Sequence, residues 1–395
     1  MTRYLRGRGG EGEAFLGKTT KKKSGRVILL VLLPLLLVVT AGCGTQAAMG
    51  WSSPTVDGGV LYAGLKTGKL YALNADNGDQ LWAFPADRLL AGIYSSPVLR
   101  EQVVFFGSYE IDTSSFLIFQ SQDIQGRAYA VDASTGEEKW HFPVGATQET
   151  EPFMGTPATG EDLVYFTSSE GRVYALDIET GAERWRFESG DAVWGGVVWQ
   201  DGTVYVGSAD KNLYALDGAT GDTQWSFTAG GAIYGTPSVS GDVVYVGALD
   251  NKVYALNAES GEEVWTFSTQ NWVWATPVRY ENRLYVPSLD HTLYALDAAS
   301  GALEWDFEAV DMLAATPVIS DGVIYVTEHK RGIHALETES GNLMWSYPEE
   351  GALAVLAAPV VADGRVYICA DDSRVYVLDA MTGKLEWETA PGESE

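Results

Sequence analysis

Ala175-Leu176-Asp177-Ile178-Glu179-Thr180-Gly181-Ala182-Glu183-Arg184-Trp185 decides the reading of this chain, because its skeleton, A-x-D-x-x-T-G-x-x-x-W, returns eight times. Asn or Glu replaces the Asp in some copies, Ser or Asn the Thr, and Val377 the leading Ala, but every copy keeps the Gly and the Trp. The indoles fall at Trp82, Trp140, Trp185, Trp225, Trp265, Trp305, Trp345 and Trp387, in steps of 58, 45, 40, 40, 40, 40 and 42 residues. Self-similarity at one period means that a single structural unit has been copied.

A regular copy, Gly235 to Phe267, shows what that unit is. Thr236-Pro237-Ser238-Val239 reads as a short strand and Ser240-Gly241-Asp242 as a turn. Val243 to Gly247 is a β-branched and aromatic strand, Val253 to Leu256 a third and Val264 to Phe267 a fourth. Between the last two, Asn257 to Gly261 reads as a tight hairpin: Asn and Ser side chains bond turn backbone, and Gly261 accepts a positive φ. Four antiparallel strands in about 40 residues make a propeller blade. The chain is therefore expected to be all-β, an eight-bladed β-propeller of four-stranded antiparallel blades. One blade cannot bury both its faces, so each stacks on its neighbours, and a large Trp beside a small Ala suits that seam.

The skeleton resembles the tryptophan-docking repeat of the pyrroloquinoline-quinone (PQQ)-type propellers, and eight copies match their eight-bladed ring. The resemblance runs from Trp51 to Trp387. That family includes quinone dehydrogenases, BamB-like lipoproteins of the outer-membrane barrel-assembly machinery, and other extracytoplasmic propellers. The resemblance implies the fold; it leaves open whether the chain is an enzyme.

The 395 residues carry a formal charge of -27. The first 42 positions hold 8 of the 26 basic and 2 of the 53 acidic residues, so the remainder stands at 18 against 51, or -33. Backbone binding to nucleic acid depends on Lys and Arg, so no nucleic-acid partner is expected. Nine of the 18 remaining basic residues, Lys66, Lys69, Arg127, Arg172, Lys211, Lys252, Lys330, Arg331 and Arg374, fall in or just after the links between second and third strands. They gather on the face that also carries the connections between blades, and the opposite face collects acids in its turns.

The amino terminus reads as an address and an anchor. Lys21-Lys22-Lys23 and Arg26 precede a 13-residue apolar run, Val27 to Val39, interrupted by Pro34. About 20 apolar residues are needed to cross a bilayer, so the run is a signal-peptide core. Thr40-Ala41-Gly42-Cys43 resembles a lipobox whose Cys becomes acylated, although Thr40 stands where Leu is commonest. The expected organisation is a lipoprotein signal peptide at 1–42, a tether at 43–50 beginning with lipidated Cys43, and the propeller at 51–395. The protein is then extracytoplasmic and membrane-anchored through lipid, at the outer membrane and periplasm or at the cell surface.

Two features stand out from the repeat. Aligning the copies on the inner-strand Pro places Trp51, Tyr94, Met154, Trp194, Tyr234, Trp274, Ala314 and Leu356 at one position, with Trp272 beside the set. The aromatic members either ring one end of the channel, able to grip an extended peptide or a flat ligand, or pack between blades. In blade two the link from Ser108 to Gly126 is swollen and holds Phe116-Leu117-Ile118-Phe119. It folds over its own blade or plugs the channel mouth, or it contacts a partner or membrane.

Chemistry is otherwise sparse. Quinone dehydrogenases sharing this repeat use an adjacent Cys pair, a Ca²⁺ held by acidic and Asn side chains, and a catalytic Asp. Here Cys43 and Cys369 are far apart in sequence, and no catalytic, cofactor or metal motif is present. His334 occupies the place of a repeat Tyr and reads as a packing substitution, not a metal ligand. The expectation is a non-enzymatic scaffold for envelope proteins, such as the barrel-assembly machinery, with no cofactor. The alternative is a ligand-binding or quinone-dependent enzyme or sensor using the channel mouth.

Overall fold

The computed structural model describes residues 52–112, 123–143, 150–349 and 351–392. These form eight four-stranded antiparallel sheets, each built from four strands consecutive in the chain. First strands of neighbouring blades lie side by side, and that of blade eight (Val360–Ala362) lies beside that of blade one (Thr55–Asp57). The molecule is an eight-bladed β-propeller. Blade five has strands at Ser238–Ser240, Val243–Ala248, Lys252–Asn257 and Glu263–Ser268, within two residues of the sequence expectation.

The repeat skeleton is a docking device. In blade three Ala175 pairs with Trp185, and the register then slips so that Leu176 pairs with Glu183. Such a bulge re-aims a side chain, and this indole reaches the next blade: Trp185 Nε1–H donates to the Gly218 carbonyl at 2.9 Å. The Tyr165 hydroxyl donates to the same oxygen at 3.0 Å. The pair recurs as Trp225 and Tyr205 on Ala258, Trp265 and Tyr245 on Ala298, and Trp305 and Tyr285 on Thr338. In blade two Phe105 replaces the Tyr, and Trp140 alone donates, to Ile178.

Burying one such aromatic side chain removes roughly 150–250 Å² from water, about 4–6 kcal/mol before entropy is charged against it. The net hydrogen bond adds about 1 kcal/mol. Burial therefore supplies the adhesion between blades, and the hydrogen bond fixes its direction.

The eight repeat glycines meet two demands at once. Gly261 has φ +73°, and a Cβ there would fall 2.6 Å from the indole of Trp225 in the preceding blade. The same contact joins each of the others to the Trp before it. Neither partner can change alone, which is why both are invariant across copies.

The ring closes with no strand exchanged among the described residues. Leu61, Ala63, Tyr71 and Leu73 of blade one share a core with Tyr367, Cys369, Val375 and Val377 of blade eight. Ala358 N–H donates to Ser53 Oγ at 3.0 Å, Arg365 pairs with Asp76 at 2.7 Å, and Lys66 with Asp371 at 3.3 Å. Cys369 is buried in this seam as a free thiol, and desolvation raises its pKa to about 12.

Blade two departs from the sequence reading of one long link. Its second and third strands run Val103–Asp112 and Asp123–Asp132, ten residues each, so the flanks of the link extend the hairpin. Pairing continues from Ser108↔Arg127 to Asp112↔Asp123. Both neighbouring connections brace the extension: Ala91 N–H donates to the Tyr109 carbonyl at 3.0 Å, and Gly126 N–H to the Thr150 carbonyl at 2.7 Å. Inside the arm, burial acts to raise the Glu110 carboxyl, but hydrogen bonds from Tyr129 and Arg88 and the charge of Arg127 outweigh it and hold the group below its usual range. Phe116, Leu117, Ile118 and Phe119 lie outside the described residues.

Candidate functional site

The inner strands converge on a cavity of about 180 Å³ at one end of the channel. Tyr94, Met154, Trp194, Tyr234, Trp274, Ala314 and Leu356, aligned by the repeat, all line it. Trp51 and the lipidation candidate Cys43, like Phe116, Leu117, Ile118 and Phe119, lie outside the described residues. Trp272 does not join the wall; its carbonyl accepts the Leu289 N–H at 2.9 Å.

Local sequence explains the placement. Around Tyr234 the inner strand enters as Ile233-Tyr234-Gly235-Thr236-Pro237, with Ile233, Gly235 and Pro237 buried and Tyr234 and Thr236 partly exposed. Alternation of period two sends every second side chain into the channel. Gly235 has to be small: a Cβ there would fall 2.5 Å from the Trp274 carbonyl oxygen of the next blade.

Trp194, Tyr234 and Trp274 come from three consecutive blades and form a continuous arc. Ring centroids are 6.1 Å apart for Trp194 and Tyr234, with planes tilted by 53°, and 5.3 Å for Tyr234 and Trp274, tilted by 65°. On the far side of Met154, Tyr94 stacks on Tyr109 of the extended hairpin at 5.7 Å and 18°. Tyr109 was not foreseen: its N–H donates to the Gly92 carbonyl at 3.2 Å as Leu249 N–H does to Ala232 at 2.9 Å, so the position belongs to the repeat and only the aromatic side chain is new. Burial, and then the neighbouring Tyr109, push the Tyr94 phenol up. Burial, and then the charge of Asp191, do the same for Tyr234.

A second layer follows two residues further along the inner strands: Ser53, Ser96, Thr156, Thr236, Thr276 and Thr316 carry hydroxyls to the same cavity in six blades, and Gly196 and Ala358 take the place in the other two. Some of them stitch the ring. Gly196 N–H donates to Thr236 Oγ1 at 2.8 Å, Thr276 N–H to Thr316 Oγ1 at 3.3 Å, and Ser53 N–H to Ser96 Oγ at 3.0 Å. The repetition of Ser or Thr before or beside the inner-strand Pro was the signal that could have found this layer.

The residues do not fit a calcium-bound quinone. No side chain of the wall carries a formal charge among the described residues, so none there would hold a divalent cation or balance a carboxylated cofactor. Among the described residues no group of three or more His, Cys, Asp or Glu is placed to hold a metal ion.

His334 does more than fill space. In the regular blades a carboxylate accepts from the repeat Tyr and from a backbone N–H of the preceding connection. Asp250 takes Tyr254 at 2.6 Å and Gly230 at 2.7 Å; Asp290 takes Tyr294 at 2.9 Å and Gln270 at 2.7 Å. In blade seven Glu328 accepts from Val310 N–H at 3.1 Å and Asp311 N–H at 2.5 Å, and pairs with His334 Nε2 at 2.7 Å. Both members have changed and the bracket survives.

A family model described as outer membrane protein assembly factor BamB, of the PQQ-repeat type, matches residues 39–125, 124–234, 169–271, 229–316 and 309–395. Comparison with curated proteins found no match. Among solved structures, BamB from Moraxella catarrhalis superposes with TM-score 0.64 at 18% identity over 87% of this chain and 95% of that one. The computationally designed Ika8 protein gives 0.69 at 16% over 85% and 96%. A quinohemoprotein alcohol dehydrogenase, ADHIIG from Pseudomonas putida HK5, gives 0.63 at 15% over 84% and 70%. At these identities the structural likeness speaks to fold.

Proposed function

The chain belongs to the PQQ-repeat family described as outer membrane protein assembly factor BamB, and from that membership we propose that it is a non-catalytic, lipid-anchored scaffold of the cell envelope that holds other envelope proteins. Assembly partners for membrane proteins are the class this family suggests. Cys43 is the proposed point of lipidation, and the propeller stands outside the cytoplasm. The wall of the channel mouth supports a binding role over catalysis, since among the described residues it offers no carboxylate, imidazole, amine or thiol.

The observation that carries the scaffold reading is the extended hairpin of blade two. Two ten-residue strands stand out from a scaffold whose other second strands are five or six residues long. The arm is braced from both sides, and Ile124 on it is 46% exposed. A braced arm that exposes an apolar side chain on a rigid ring is suited to protein contact.

The test is affinity purification of the lipidated protein from membranes of its source cell, beside a variant in which 109–125 is replaced by a short turn like that of blade five. Recovery of a stable complex with a barrel-assembly protein, lost in the variant while its melting temperature holds, is the expected result. No protein partner for either form would reject the scaffold. Replacing Cys43 by Ala should move the protein from the membrane to the soluble fraction; an unchanged distribution would reject the anchor.

A further inference from the structure

The aromatic arc at the channel mouth has a chemistry that the scaffold reading does not use. Aromatic faces are negative, and a cation held over them is attracted, most strongly by Trp. Tyr234 contacts both Trp194 and Trp274 with the planes tilted, not parallel, and all three line one cavity. The whole chain adds a formal charge of -27.

These features discriminate among ligand classes. An anion is opposed by the ring faces and by the net charge. A bare metal ion would have to shed water with no carboxylate on the wall to replace it. A neutral flat molecule gains stacking and nothing from the field. A cation of diffuse charge, weakly hydrated and bearing methyl groups, gains from all of them. The volume, about 180 Å³, is below the roughly 300–1,000 Å³ of drug-sized pockets and suits a compact head group. Ala314 and Leu356 offer apolar contact to methyls, and the hydroxyls of Thr236, Thr276 and Thr316 can serve a polar tail.

We propose that the channel mouth binds a compact organic ammonium, a quaternary or methylated amine, by cation–π contact with Trp194, Tyr234 and Trp274. The group is carried either by a small solute or by the head of a phospholipid. The inference is independent of the scaffold reading, because it is tested on the isolated protein and survives the absence of any protein partner.

The test is calorimetric titration of the mature chain with choline and with 3,3-dimethylbutanol, its uncharged isostere. Choline should bind at least about tenfold more tightly than the isostere. Trp274→Ala should weaken choline by about tenfold with an unchanged melting temperature. Should that variant unfold, Trp274→Phe keeps the packing and is expected to weaken binding by about threefold. Tyr234→Phe keeps the ring face and should bind as the parent does. Equal affinity for choline and its isostere, or no choline binding at millimolar concentration, would overturn the proposal. Flotation of unlipidated protein with phosphatidylcholine vesicles assigns the source: co-flotation abolished by Trp274→Ala means a lipid head group, whereas binding of free choline alone means a solute.

Discussion

Gly78 of blade one lies under the indole of Trp387 in blade eight, and a Cβ on this glycine would fall 2.8 Å from the ring. The contact repeats across the closure what every other seam does. Yet Trp387 Nε1 is buried without a hydrogen-bond partner, and the Tyr367 hydroxyl reaches the Ala75 carbonyl only at 3.4 Å. Packing at the eighth seam is kept while its directional bonding is weakened, and the Arg365–Asp76 pair that crosses it has its counterpart in Arg283–Glu339 between blades six and seven.

A Phe scan of the seam indoles should therefore be uneven. Trp265→Phe removes a bond of 3.1 Å to Ala298 along with the lost ring volume, whereas Trp387→Phe removes volume alone. Urea denaturation is expected to show Trp265→Phe costing about 1 kcal/mol more than Trp387→Phe. Equal losses would mean that the bond to the neighbouring carbonyl contributes nothing.

Gly261→Ala meets both strain and collision. The residue keeps a positive φ, and the new methyl enters the space of Trp225. A loss of about 2–5 kcal/mol is expected, against near neutrality for Gly241→Ser, where a side chain meets open space and only the turn conformation resists. Thermal melting of the two variants decides.

The closing ion pair should depend on salt. Arg365 bonds Asp76 at 2.7 Å and Glu386 at 2.6 Å, with its own side chain 26% exposed. Arg365→Gln is expected to cost about 1 kcal/mol or less at low ionic strength. The difference should shrink toward zero in 1 M salt; a penalty that persists there would point to packing.

Much of this was legible in the sequence for a physical reason: in a ring of identical units, height along the channel and depth from the axis are functions of position within the repeat. Tyr94, Trp194, Tyr234 and Trp274 could be placed together by alignment alone. What was hidden depended on contacts between units. The carbonyl that Trp185 reaches lies 33 residues away, at Gly218, and nothing in either residue type announces the pairing. The strands flanking the link of blade two carry Ser108, Tyr109, Glu110 and Gly126, a mixture without the alternation that marks a half-buried strand. Their pairing comes from the braces at Ala91 and Thr150. The joint exchange of Tyr and its acid for His334 and Glu328 was concealed because the acid moves from the link, where Asp250 and Asp290 stand, to the last residue of the second strand, two positions earlier in the repeat.

That exchange yields a prediction of its own. Glu328 is 2% exposed and accepts from two backbone N–H groups and His334. Glu328→Gln turns an acceptor into a donor beside those N–H groups and is expected to cost about 1–3 kcal/mol. Coupling with His334→Ala in a double-mutant cycle should exceed about 0.5 kcal/mol; additive losses would mean that the two do not act as a pair.

Acid should weaken the hairpin turns before the cores. Arg184's hydrogen bond, then Thr180's hydroxyl and N–H, hold the Asp177 carboxyl down from 3.8 to about 2. Asp132 and Asp379 are lowered in the same turn by Ser134 and Thr135, and by Thr382. A carboxyl whose folded pKa is depressed contributes stability that is complete above its unfolded value and is lost as pH falls through the folded one. Stability from these groups should be flat above pH about 4.5 and fall toward pH 2, with a shallower fall in Asp177→Asn. An identical slope in parent and variant would remove Asp177 from the account.

Because every sheet is made from one uninterrupted stretch, cutting the chain in any connection between blades divides no sheet. The propeller is therefore open to rewiring: joining blade eight to blade one and opening new ends near 270, between blades five and six, should give a circular permutant that folds into the same ring.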